Sequence, residues 1–420
     1  MIRAVRALLV VAAIVVAFLV AGLADLLVFL ALIFLFVALH ELAHFATAKW
    51  SHMKVTEYFI GFGPRLWSFR WGETDYGIKP IPAGAYVKIL GMNNLEEVDP
   101  ADEPHAYRQQ PFHRRVIVAS AGSVMHYAIA FALAWIAVVS FGVPSANTPE
   151  VTGFSSWPGH AQTAAQAAGL KSGDKIVAVD GHAITTTTQL PADIQAAKGK
   201  PVTLTFERHG HRRTATATPQ VAHITAGTKE VLGPGKNGTK EWLLGVQILP
   251  VTVFTGEGPL RAVGTAGVDV GRVTSTTVGG LVHAFSASGL GSLFNQVSSP
   301  QVAQHAASHP QSSNRVMSLI GAARVATQAE QQGMLYLIEI LIALNIVFGL
   351  LNMLPMLPLD GGHVVIALYE RVRTRRGQPY YQADARKLLP VAYAFMAVLL
   401  VIVGSAVFLD IAHPIANPFH

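Results

Sequence analysis

Four stretches of this 420-residue chain, roughly 26–48, 116–142, 334–357 and 388–409, are apolar over about the ~20 residues that a helix needs to cross a bilayer. In hydrocarbon every backbone amide and carbonyl must be bonded within the structure, so such runs fold as helices. Composition agrees: 13% of residues are charged and 51% hydrophobic, with a mean hydropathy of +0.40, whereas a soluble domain carries about 25% charged residues. A fifth apolar stretch, about 4–23, follows Arg3 and Arg6. It reads either as a signal peptide ending near Gly22-Leu23-Ala24 or as an extra span turning near Asp25, and five spans are favoured over four.

Lys and Arg set the expected orientation. Lys49, Lys54, Arg65, Arg70, Lys79 and Lys88 follow the 26–48 run, Arg114 and Arg115 precede the next, and Arg371, Arg373, Arg375, Arg376, Arg386 and Lys387 lie between the last two. The positive-inside rule places these segments in the cytoplasm and 143–333 outside. The net charge of +6 is therefore read as span flanks; no basic stripe with interleaved aromatics points to nucleic acid as a partner. Cysteine is absent, which excludes disulfides, thiolate ligands and a cysteine nucleophile. A bound metal would take nitrogen and oxygen ligands.

The expected organisation is a polytopic α-helical membrane protein of four or five spans with a membrane-associated β-hairpin or sheet and an extracytoplasmic α+β domain. Its parts are 1–25, a hydrophobic helix; 26–142, the first half of the membrane core; 143–250, the outer domain; 251–333, an amphipathic or linker region; and 334–420, the second half of the core. Val55 to Ile60, Leu66 to Trp71 and Ala85 to Leu90 read as strands separated by Gly and Pro. In the outer domain, 161–168 and 190–197 read as helices, and 176–179 and 202–207 as strands. A mobile loop is expected at 225–241 and a solvated connector at 299–314.

The chemistry concentrates in His40-Glu41-Leu42-Ala43-His44. Residues four apart share a helix face, so both imidazoles can bind one ion, and Glu41 can take a proton from a metal-bound water. The motif follows the apolar run 31–39, at or inside the membrane boundary, where ionisable groups point to function. Zinc needs a third protein ligand and an open fourth position. The residues 45–50 offer none, so the ligand must come from far along the chain; Asp360 is the best candidate. It closes Asn352-Met353-Leu354-Pro355-Met356-Leu357-Pro358-Leu359-Asp360-Gly361-Gly362, whose prolines break a helix and whose glycines permit a sharp turn. An N-cap for a helix over 363–372 is the competing role for Asp360.

These two motifs, 316 residues apart, resemble those of the site-2 protease family, intramembrane zinc metalloproteases, and especially its bacterial members that cleave anti-sigma factors. The resemblance spans about Leu27 to Leu409. It implies one zinc per chain at His40, His44 and Asp360, with Glu41 as general base and Asn352 and Pro355 positioning substrate. The Gly61-Phe62-Gly63-Pro64 turn and the 76–90 strands resemble the family's membrane-re-entrant β-hairpin, with Gly63 and Gly84 helping to present an edge to an extended substrate. Residues 168–174 with Val179-Asp180-Gly181 resemble a PDZ domain, a size filter, a peptide binder or a structural cap. The implied partner is a single-pass membrane protein, an anti-sigma factor or remnant peptide, in the lipid of the bacterial cytoplasmic membrane, with the active site toward the cytoplasm. Relatives commonly carry Ala-Gly-Pro-x-x-Asn where this chain reads Ala121-Gly122-Ser123-Val124-Met125-His126. His126 is read as a core histidine bonded to a backbone carbonyl, with a polar contact to zinc or substrate as the competing role; His363 is treated likewise. A catalytically silent PDZ-bearing scaffold would have lost Glu41 or Asp360, and both are present. A metal transporter would show internal repeats and several midplane polar residues.

Overall fold

Leu, Ala, Phe and Val, uninterrupted by Gly or Pro, carry helix α1 (Ala24–Trp50) through 27 residues, about 40 Å at 1.5 Å per residue. The structure is a computed structural model describing residues 20, 24–92, 96–155, 162–224, 231, 232, 239–308, 315–374 and 381–415. The stretch 4–23 lies outside the described residues except for Val20. The chain divides into two compact units, Met1–Ala137 with Leu260–His420, and Val138–Pro259.

After α1 come strands β1 (Val55–Phe62), β2 (Trp67–Trp71), β3 (Thr74–Ile78) and β4 (Ile81–Ile89). They form one sheet in the order β2-β3-β1-β4, which includes a β2–β3 hairpin. The β2–β3 hairpin folds back so that β3 lies parallel to β1, Glu57 opposite Asp75, while β4 pairs antiparallel on the other side, Tyr58 opposite Val87. Gly77 makes this possible: a Cβ there would lie 2.4 Å from the Trp67 carbonyl oxygen and 2.5 Å from the Phe59 ring. The Tyr58 hydroxyl donates to the Ala38 carbonyl at 3.0 Å, so the sheet runs back along α1. Helix α2 (Phe112–Phe141) closes the first half of this unit.

The second unit begins with the long ribbon of β5 (Val143–Phe154) and is completed by its antiparallel partner β13 (Val246–Thr255). Between them lie α3 (Ala164–Ala167), β6 (Lys175–Val179), β7 (His182–Ala183), α4 (Gln189–Ala196), β8 (Val202–Arg208) and β9 (His211–Ala217). The main sheet runs β13-β5-β6-β8-β9, and β10 (Gln220–Ile224), β11 (Val231–Leu232) and β12 (Thr239–Leu243) form a smaller one. The expected loop at 225–241 thus contains strand residues, and 225–230 and 233–238 lie outside the described residues. Leu170, Ile176, Leu190, Ile194, Val202, Leu204 and Phe206 fill the core.

Asp174, with no exposed surface, is held by Arg208 through Nε and Nη2, both at 2.6 Å, and by the Lys171 amide at 2.7 Å. Burial alone would raise its pKa, but the Arg208 and Lys171 contacts outweigh that and hold the carboxyl below its usual value. A depressed carboxyl pKa contributes stability that is present above the unfolded value, about 3.9, and is lost as pH falls through the folded one. Asp174→Asn should therefore destabilise this unit by roughly 3 kcal/mol at neutral pH. Hydrogen exchange should show the difference from wild type shrinking only in acid, below about pH 4.

The first unit resumes with α5 (Pro259–Ala284), α6 (Ala287–Ser298), α7 (Pro300–Ser308) and α8 (Leu319–Gln332). Within 251–333, the region expected to be amphipathic or a linker, the described residues from Pro259 to Gln332 are largely helical. At α7, Ser, Gln and His mask a stripe of buried alanines, Ala303, Ala306 and Ala307, at helical spacing; residues 309–314 lie outside the described residues. Ala322, Ala323 and Ala326 of α8 pack on Phe29, Ile33 and Phe36 of α1, together with Leu337 and Leu341 of α9 (Met334–Asn352). Next come α10 (Asp360–Arg373) and α11 (Leu389–Ala412). Among the described residues four helical segments are long and apolar enough to cross a membrane: Leu26–Trp50, Phe112–Phe141, Met334–Asn352 and Arg386–Ala412.

Candidate metal centre

His40 and His44 sit one turn apart on α1, about 15 Å and about 9 Å before its C-terminal end at 1.5 Å per residue. Both are buried. Their Nε2 atoms are 3.2 Å apart, and Asp360 Oδ2 lies 3.4 Å from the first and 3.2 Å from the second. A tetrahedral zinc with bonds near 2.0–2.1 Å puts neighbouring ligand atoms about 3.3 Å apart, so this triangle has the size that zinc requires. The tautomer agrees. His44 Nδ1 donates to the Val118 carbonyl at 2.7 Å, so in the neutral ring Nε2 carries a lone pair. That lone pair faces a carboxylate oxygen and a second imidazole nitrogen, an arrangement that a cation between them stabilises. Only these three residues form such a group among the described residues, which leaves a fourth position open.

Asp360 arrives through a break in helix. The 334–357 run is helical only to Asn352; Met353 to Leu359 then fold tightly around the start of α10. A Cβ on Gly361 would lie 2.2 Å from the Met353 carbonyl oxygen, and one on Gly362 2.7 Å from the Leu357 amide. Asp360 is the first residue of α10, not its N-cap, which is Leu359. Its carboxylate therefore goes to the histidines, while the helix N-terminus favours its charge.

Farther along α10, buried Glu370 accepts from Arg115 Nη1 at 2.6 Å and from the Ala383 amide at 2.7 Å. Arg115 also lies over the Tyr107 ring at 5.1 Å. This ion pair bolts the helix that carries Asp360 to the start of α2. Glu370→Ala takes one member out of a buried ion pair, so it should cost roughly 3–5 kcal/mol of stability. It should also weaken zinc binding, as chelator competition would read.

Helix α2 supports the histidines at three positions spaced by four. Val118 orients His44, and Gly122 lies against the His40 ring: a Cβ there would be 2.2 Å from Cε1, 2.4 Å from Nδ1 and 2.5 Å from Nε2. Gly122 stood in the quoted motif, but its partner is 82 residues away and no local pattern names it. His126 corrects the sequence reading. It bonds not to a backbone carbonyl but to Asn345 Oδ1, at 2.9 Å, and its ring centroid lies 4.9 Å from that of His40.

Glu41 is half-buried beside this cluster, its carboxylate facing the Val87 amide of β4. Gly84 approaches α1, its Cβ position 3.9 Å from Val37 Cγ1, whereas Gly63 packs on Pro80 and Ile81. Asn352 ends α9 and Pro355 lies within the helix break, and no described hydrogen bond ties either to the three donors. His363 stands edge-on to Tyr107, centroids 6.3 Å apart, outside the donor group.

The sequence profile of peptidase family M50 matches residues 28–400. Relatives include the zinc metalloprotease Rip1 of Mycobacterium bovis BCG, 30% identical over 91% of this chain and 95% of that one. Rip1 of Mycobacterium tuberculosis H37Rv is 29% identical over 91% and 95%, and Rip1 of Mycolicibacterium smegmatis 28% identical over 90% and 95%. The buried triangle of two imidazoles and a carboxylate suits the metal in those names, and the long apolar helices suit a membrane protease. The chain belongs to peptidase family M50, the site-2 proteases, and is a zinc metalloendopeptidase.

Proposed function

We propose that this protein is a multi-pass enzyme of a bacterial cytoplasmic membrane. It cleaves single-pass membrane proteins, of the anti-sigma-factor type, whose outer domain has already been trimmed. The carrying observation is the triangle of His40, His44 and Asp360 at tetrahedral spacing, with both imidazoles on an apolar helix. His40, His44 and Asp360 would hold zinc there, which would supply a Lewis acid to polarise the scissile carbonyl and acidify water. Glu41 takes the proton from that water and returns it to the leaving amine. Its carboxylate faces the Val87 amide.

Strand β4 is an edge of its sheet, beside α1. Its free backbone groups hold the substrate extended, which a helical substrate needs before its carbonyl is accessible. Asn352, Pro355, Gly63 and Gly84 help shape that path. The Lys and Arg flanks favour an active site toward the cytoplasm, with residues 143–333 outside. That unit is PDZ-like: strands β6 and β8, helix α4 and the loop around Asp174 support the likeness.

The test is reconstitution of the full chain in vesicles with a single-pass reporter, either trimmed or carrying a folded outer domain, and with a soluble protein as control. Cleavage confined to the trimmed reporter, within or beside its span, is the expected result. Equal cleavage of the soluble protein would overturn the substrate assignment.

A further inference from the structure

His126 and Asn345 form a polar pair inside two apolar helices, 2% and 0% exposed. Such groups are costly at that depth and mark function more often than packing. Asn345 Nδ2 donates to the Leu341 carbonyl at 2.8 Å, which fixes the amide so that Oδ1 faces the imidazole. His126 Nδ1 must then be the donor, and Nε2, across the ring from Asn345, keeps a lone pair. Among the described residues Nε2 makes no hydrogen bond. The ring lies nearly as close to His40, at 4.9 Å between centroids, as His44 does, at 4.7 Å. Yet His126 is outside the group of donor atoms close enough to share one metal ion.

A lone pair beside the metal ligands, too distant to bind the metal itself, suits an acceptor one hydrogen bond further out. We propose that His126 is an additional active-site residue whose Nε2 accepts a hydrogen bond from the water in the open fourth position. Asn345 is its positioning residue. This rests on the metal-centre reading. Loss of such an outer contact typically costs ~10–100-fold in activity.

The test is the visible spectrum of the full-length protein carrying Co(II) in place of zinc, for wild type, His126→Phe, His126→Gln and Asn345→Leu. Cleavage of the trimmed reporter is measured alongside. The proposal expects His126→Phe to keep cobalt but shift its ligand-field bands. Its kcat should fall by ~10-fold or more at unchanged KM, with partial recovery of spectrum and rate in His126→Gln. Asn345→Leu should give the same change in spectrum and rate in smaller measure, with no additional loss when combined with His126→Phe. A wild-type spectrum in His126→Phe would overturn the proposal. So would loss of cobalt from both His126 variants in protein that still melts cooperatively, because that outcome makes the residue structural. Failure of wild type itself to bind cobalt would instead sink the metal centre, and the two failures are distinguishable without a substrate.

Discussion

Glu41→Gln should leave zinc bound and abolish hydrolysis. Glutamine is nearly isosteric with glutamate and keeps an oxygen to face the Val87 amide, so the local packing survives. Glu41 is not one of the three residues that can share the ion, so the metal should stay. What disappears is the acceptor for the water's proton and its donor to the leaving amine. A positioned general base contributes ~10²–10⁴-fold, and Glu41 serves both halves of the reaction, so the loss should lie near the upper end. Zinc content and reporter cleavage measured on one preparation check this. Wild-type turnover in zinc-loaded Glu41→Gln would remove the assignment.

Gly122→Ala should act on the metal without touching a ligand. The added methyl would lie 2.2–2.5 Å from three atoms of the His40 ring. That ring is hemmed in by the rings of His44 and His126, with centroids 4.7 and 4.9 Å away. Either His40 turns off the metal or α2 moves away from α1 and takes the Val118 carbonyl from His44. Both routes predict at least a ~10-fold loss of zinc affinity, the scale of outer contacts to metal ligands. Helix propensity alone predicts the reverse sign, since alanine is favoured over glycine by about 1 kcal/mol in a helix. Weakened zinc in a variant whose metal-free melting temperature is unchanged would isolate the steric effect. Unchanged zinc affinity would mean that α2 does not set the position of His40.

Local chemistry explains what could be read in advance. The spans declare themselves because lipid demands apolar helices. His40 and His44 share a face by spacing alone, and Asp360 stands out because an acid beside two prolines and two glycines has little reason to lie near a membrane. What stayed hidden depends on partners distant in sequence. His126 meets Asn345 across 219 residues and Arg115 meets Glu370 across 255, and neither pair has a local signature. The parallel β1–β3 pairing turns on the absence of a side chain at Gly77, and Gly122 is explained only by a ring from another helix. The alanine stripe of α7 was obscured by the Ser, Gln and His around it, because alanine weighs little in a polar average.

Zinc binding by Asp360→Ala, compared with wild type in a metal-buffered titration, tests the convergence of distant residues on one ion most directly. Wild type should hold one zinc per chain. The variant keeps both histidines and loses only the ligand 316 residues away, so its affinity should fall by at least ~10-fold, as for lesser disturbances of a metal site. An unchanged affinity would contradict the account, since the third protein ligand would then be some other group.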